Sequence, residues 1–68
     1  MKLEYDKEVD AAYIYVVDSI HDGAAKKTVR VSEEIIIDFD GNGKLLGVEV
    51  LNASKIINKK VLLEAQAA

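Results

Sequence analysis

The chain has no cysteine among its 68 residues, so neither a disulfide framework nor a thiolate metal site can help hold it together. Its one histidine, His21, sits beside Asp18 and Asp22 in a loop-like stretch, and a catalytic or metal role would need more converging partners than that. Ser19, Ser32 and Ser54 lack the G-x-S-x-G setting of an activated nucleophile, and the four glycines do not make a phosphate loop. No apolar run approaches the ~20 residues of a membrane-spanning helix. Met1-Lys2-Leu3-Glu4 does not read as a signal peptide, so the cytoplasm is the expected location. Positive charge is also short: the formal net charge is −3 and the pI about 5.0, which argues against nucleic acid as a partner. These absences lead us to expect no enzyme and no cofactor.

The chain length fits one domain over residues 1–68, with an ordered core at about 2–60 and a frayed tail at 64–68. A domain this small buries only about 60% of the surface its unfolded chain exposes. Its core rarely supplies more than ~3–5 kcal/mol unaided. Cross-links are excluded, so self-association as a homodimer, or another protein partner, is the expected support.

The apolar residues alternate with the period of two that marks strands. Lys2–Asp6 reads as a first short strand, with Leu3 and Tyr5 on one face. Ala11–Val17 reads as a second, with Tyr13, Tyr15 and Val17 on one face and Ala12, Ile14 and Val16 on the other. Lys26–Val31 reads as a third, whose cations suggest an edge. Asp18–Ala25 is the loop between them.

The stretch Ile35–Leu51 (IIIDFDGNGKLLGVEVL) predicts a β-hairpin. A two-residue Asn42-Gly43 turn pairs Phe39 with Leu46, Ile37 with Val48 and Ile35 with Val50, so every apolar residue on that face meets another. A three-residue loop would put the two apolar sets on opposite faces and is rejected. Beyond Leu51, Ala53, Ile56, Ile57 and Val61 fall at helical spacings, with Asn52 or Ser54 available as a cap. That helix is the natural lid for one sheet face. The expected fold is therefore α+β: an antiparallel β-sheet of four to five strands with one C-terminal α-helix packed on a face.

Two constellations could carry function. Asp38-x-Asp40-x-Asn42-Gly43 followed by Glu49 fits the EF-hand calcium-loop pattern. An EF-hand places its loop between helices so that the ligands wrap one ion. Here the flank is β-branched, and the hairpin register spreads Asp38, Asp40, Asn42 and Glu49 along two strands, so a solvated turn is the preferred reading. The second constellation is Tyr5, Tyr13 and Tyr15, which could form one aromatic patch for a partner, or pack as core or dimer contact. Lys26, Lys27, Arg30, Lys55, Lys59 and Lys60 read as solvated faces.

Tyr5-Asp6, Asp10-Ala11-Ala12-Tyr13-Ile14, Ile36-Ile37-Asp38-Phe39-Asp40 through Gly43, and Leu46-Gly47-Val48-Glu49-Val50-Leu51 with Ala53-Ser54 occur together in this order. The combination resembles a small prokaryotic family catalogued as domain of unknown function 2283, over residues 3 to 58. The resemblance implies a compact α+β domain with antiparallel strands and a short helix, and no catalytic residues to carry over. It also implies a strand and turn for the Asp38–Gly43 segment. Ala12 stands where the family more often has leucine, and Glu34 where glycine is common. Members resemble small stand-alone genes near toxin genes, which implies an antitoxin-like role with a partner encoded nearby.

Overall fold

A computed structural model describes residues 1–68. Its strands are β1 (Lys2–Asp6), β2 (Ala11–Tyr15), β3 (Lys27–Arg30), β4 (Ile35–Phe39), β5 (Leu45–Leu51) and β6 (Gln66–Ala67). Two short helices, α1 (Ala53–Ile56) and α2 (Lys59–Glu64), lie between β5 and β6. The six strands form one sheet in the order β3-β4-β5-β2-β1-β6. All neighbours are antiparallel except β6, which runs parallel to β1. The fold is thus α+β as expected, with one strand and one helix more.

The central hairpin keeps the expected register along most of its length: Ile35 stands opposite Val50 and Ile37 opposite Val48. Its tip differs. Phe39 pairs with Leu45 rather than Leu46, with a register shift between Asp38 and Phe39. The Asp40 N–H donates to the Lys44 carbonyl at 2.9 Å and the Gly43 N–H to the Asp40 carbonyl at 3.1 Å. These bonds close a three-residue loop of Gly41, Asn42 and Gly43. Only Gly43 takes a positive φ, 79°, the left-handed residue that ends a type I turn in such loops. A mirror-image Asn-Gly turn would need positive φ at Asn42 as well. The three-residue loop escapes the face-swapping objection because Leu46 is an extra residue on β5, a bulge that returns the alternation to its original face.

The expected single helix is broken in two at Ile57-Asn58. Asn52 adopts the left-handed conformation and makes no side-chain cap, whereas the Asn58 side chain accepts from the Lys60 N–H at 2.8 Å. The apolar stripe is accordingly Ala53, Ile57 and Leu62. Ile56 and Val61 are exposed. The tail has more order than expected, since Gln66 and Ala67 align with Glu4 and Tyr5.

Register divides the sheet into two unlike faces. One carries Leu3 and Tyr5, Ala12 and Ile14, Val48 and Val50, then Ile35, Ile37 and Val29. The core sits on part of it: Ala12, Val50, Ala53 and Leu62, with Leu3, Tyr5, Ile14, Val48 and Ile57 packed round them. Nothing from β3 or β4 enters that cluster. The opposite face carries Lys2, Glu4, Tyr13, Tyr15, Glu49, Ile36, Asp38, Thr28 and Arg30.

Candidate functional site

The open face is centred on Tyr13 and Tyr15, whose rings lie 4.7 Å apart at 53°. Alternation along β2 puts both on this side. Tyr15 donates its hydroxyl to Glu4 Oε1 at 2.9 Å, and the Lys2 ammonium lies 4.4 Å from the centre of its ring and 3.8 Å from Glu4. Tyr13 extends over Gly47, which has no side chain to obstruct it, and donates to Asp38 Oδ2 at 2.7 Å. A Cβ at Gly47 would collide with the Tyr13 ring and stand 2.7 Å from the Ile14 carbonyl oxygen. Thr28 Oγ1 donates to the other Asp38 oxygen at 2.7 Å. Partial burial, then the bond to Asp38, pushes the Tyr13 phenol well above its ordinary 10.0. The bond to Glu4 pushes Tyr15 the same way.

Tyr5 does not join them. It pairs with Ala12, which places it on the helix-bearing face, so the expected three-tyrosine patch is a pair on one side and a single residue on the other. Tyr5 donates to Asp10 Oδ1 at 2.7 Å. The same Asp10 carboxylate receives the Ser54 N–H at 3.0 Å and the Ser54 hydroxyl at 2.7 Å, and the Asp10 carbonyl receives the Ala53 N–H at 2.9 Å. The Tyr5 hydroxyl, followed by the Ser54 hydroxyl, holds the Asp10 carboxyl below its ordinary 3.8, and Tyr5 is raised by the same bond. Asp10 reaches this position with a φ of 54°, a conformation that Asp tolerates better than most residues. The trio is a clasp between the β1-β2 turn and α1. A cleft of about 430 Å³ opens beside it, lined by Tyr5, Leu62, Leu63 and Ala67 with Lys7 and Lys59.

The calcium-like pattern is dispersed. Asp38 faces Gly47, Glu49 faces Ile36, and both Asp38 oxygens already accept protein hydroxyls. Asp40 Oδ1 receives the N–H groups of Asn42 and Lys44, each at 2.9 Å, so Asp40 braces the turn. No three acidic or histidine side chains come together in an arrangement that could hold a metal ion. His21 is exposed in its loop. Sequence reasoning missed Glu4, Thr28, Ser54 and Gly47 as partners of the tyrosines and aspartates. A glycine inside a strand is the one signal available, because it marks a site of close approach.

The architecture and its two networks define a small α+β domain. The chain belongs to the family described as protein of unknown function (DUF2283), whose model matches residues 2–54. It is also similar to an uncharacterized protein, MJ0789, of Methanocaldococcus jannaschii, with 41% identity over 58 residues, covering 85% of this chain and 46% of the relative. The chain therefore spans about half the length of that relative. No solved structure matches the chain. No helix is long and apolar enough to cross a membrane.

Proposed function

We propose that this chain is a small non-enzymatic protein-interaction module that works as a homodimer in the cytoplasm. The observation that carries the reading is the surface it leaves exposed. Only 6 of 68 residues are buried, and no large side chain is fully enclosed. The accessible surface is 4930 Å², whereas a folded monomer of its 7.5 kDa mass is expected to expose about 4,250 Å². The excess, roughly 700 Å², is close to the ~800 Å² that each partner contributes to a standard protein interface. A second chain accounts for the excess and supplies the stability that a core of this size lacks. An antitoxin-like pairing with a neighbouring gene product would be a special case that adds a second partner to the dimer.

Thermal unfolding at a series of protein concentrations tests the reading, because dimer dissociation makes the midpoint rise with concentration. An invariant midpoint over a hundredfold range, together with monomeric light scattering, would sink it.

A further inference from the structure

The homodimer reading leaves open which surface the two copies share, and three surfaces of the sheet compete for it. One is the free edge of β3, which is exposed along its whole length. The Val31 N–H donates to the Ile35 carbonyl at 2.8 Å, so by alternation the backbone groups of Thr28 and Arg30 point away from β4 and stand free. The strand has only four residues, and Lys26, Lys27 and Arg30 cluster along it. Antiparallel pairing of two such edges would crowd six cations together, which is how natural edges are kept apart. The second surface is the Tyr13 and Tyr15 face. Its phenols already donate to Asp38 and Glu4, and Lys2, Glu4, Glu49 and Arg30 around them would all lose water on contact, an expensive desolvation for paired or unpaired charges alike.

The third is the half of the helix-bearing face outside the core cluster, where Ile35, Ile37 and Phe39 are half-buried. Val29, Ile35, Ile37 and Phe39 share this side by register, with Lys27 opposite Phe39 at its end, and Val31 continues it past the end of β3. Val29 is 37% and Val31 59% exposed. The core cluster draws nothing from these residues, and no carboxylate on β3 or β4 shares the face.

We infer that the two copies pack face to face through Val29, Val31, Ile35, Ile37 and Phe39, across a two-fold axis that sets this patch against itself. The inference rests on the homodimer reading. A self-complementary apolar patch with the cations confined to its rim fits an isologous contact, in which the same surface serves both partners. This placement extends the core of each copy across β4 and β3. It also turns both Tyr13 and Tyr15 faces outward, free for another protein.

Four variants, compared with the wild type by sedimentation at graded concentrations, test the surface. Val29→Lys with Val31→Lys changes two exposed side chains and is expected to weaken self-association by about a hundredfold, as loss of an interface hot spot does, while circular dichroism stays that of the folded chain. Should the double variant fail to fold, Val31→Lys alone lies beyond the strand end and gives the same readout. Tyr15→Lys on the opposite face and Arg30→Glu on the β3 edge are expected to leave the dimer unchanged. Dissociation by Tyr15→Lys, tightening by Arg30→Glu, or a dimer that survives Val31→Lys would overturn the assignment. A monomeric wild type would instead remove the homodimer reading on which it depends.

Discussion

Asp10 and Ser54, 44 positions apart in the chain, are joined by two hydrogen bonds, from the Ser54 hydroxyl at 2.7 Å and the Ser54 N–H at 3.0 Å. The contact ties the first turn of the sheet to the start of α1. It explains why the chain leaves β5 at Asn52 in a left-handed conformation and immediately buries Ala53 completely.

The Asp10 clasp carries a pH signature. Its carboxyl is held below 3.8 in the fold, so its contribution is complete above that value and lost as pH falls through the lower folded value. Asp10→Asn is therefore expected to lower the urea unfolding midpoint at neutral pH, with the gap to wild type closing below about pH 4. A gap that stays constant down to pH 2 would contradict an ionised, hydrogen-bonded Asp10.

Tyr13 gives the opposite signature at high pH. The unfolded phenol ionises near 10.0, while the folded one resists because it is partly buried and bonded to Asp38. Its raised value contributes stability below pH 10 that is lost as pH climbs through the folded value. Tyr13→Phe is expected to cost about 1 kcal/mol at neutral pH, the net worth of a hydrogen bond, and to flatten part of the alkaline decline. Urea unfolding of both proteins at neutral pH and above pH 10 checks both effects.

Two glycines separate two kinds of steric demand. Gly47→Ala puts a methyl against the Tyr13 ring and the Ile14 carbonyl and is expected to destabilise by about 1–3 kcal/mol, as overpacking does. Measured against Tyr13→Ala, the further loss from Gly47→Ala should shrink without vanishing, since the Ile14 carbonyl remains in the way. Gly43→Ala meets open space, and its expected loss of about 1–2 kcal/mol comes from the left-handed backbone alone. Equilibrium denaturation of the single variants and of the Gly47→Ala/Tyr13→Ala double variant distinguishes the two causes.

Asn58 caps α2 through the Lys60 N–H, so Asn58→Ala is expected to cost about 1 kcal/mol. Asn52→Ala removes no cap bond and acts only through its positive φ. Thermal melts of the two variants, read beside helix content by circular dichroism, check the assignment.

Much of the sheet is legible in the sequence because period-two alternation is strong where one face is buried: β1, β4 and β5 begin and end where the apolar pattern does. The β6 strand is not legible, since Gln66 and Ala67 carry no strand preference and pair only because α2 delivers them to β1. The bulge at Leu46 is hidden for a related reason. Leu45 and Leu46 are both leucine, and either could have stood opposite Phe39. The sequence groups Tyr5 with Tyr13 and Tyr15 because it does not give the length of the β1-β2 turn. Pairing Asp6 with Ala11 fixes Tyr5 against Ala12 and hence on the other face. The networks of Asp10 and Asp38 were beyond sequence reasoning, because each joins residues brought together by strand order.

In the proposed homodimer two chains share the apolar surface that carries Val29 and Val31. Sedimentation equilibrium of the wild-type chain at micromolar concentration tests it most directly. A mass twice the 7.5 kDa of the chain, falling toward the single-chain value on dilution, is the predicted result. A single-chain mass throughout that range would contradict it.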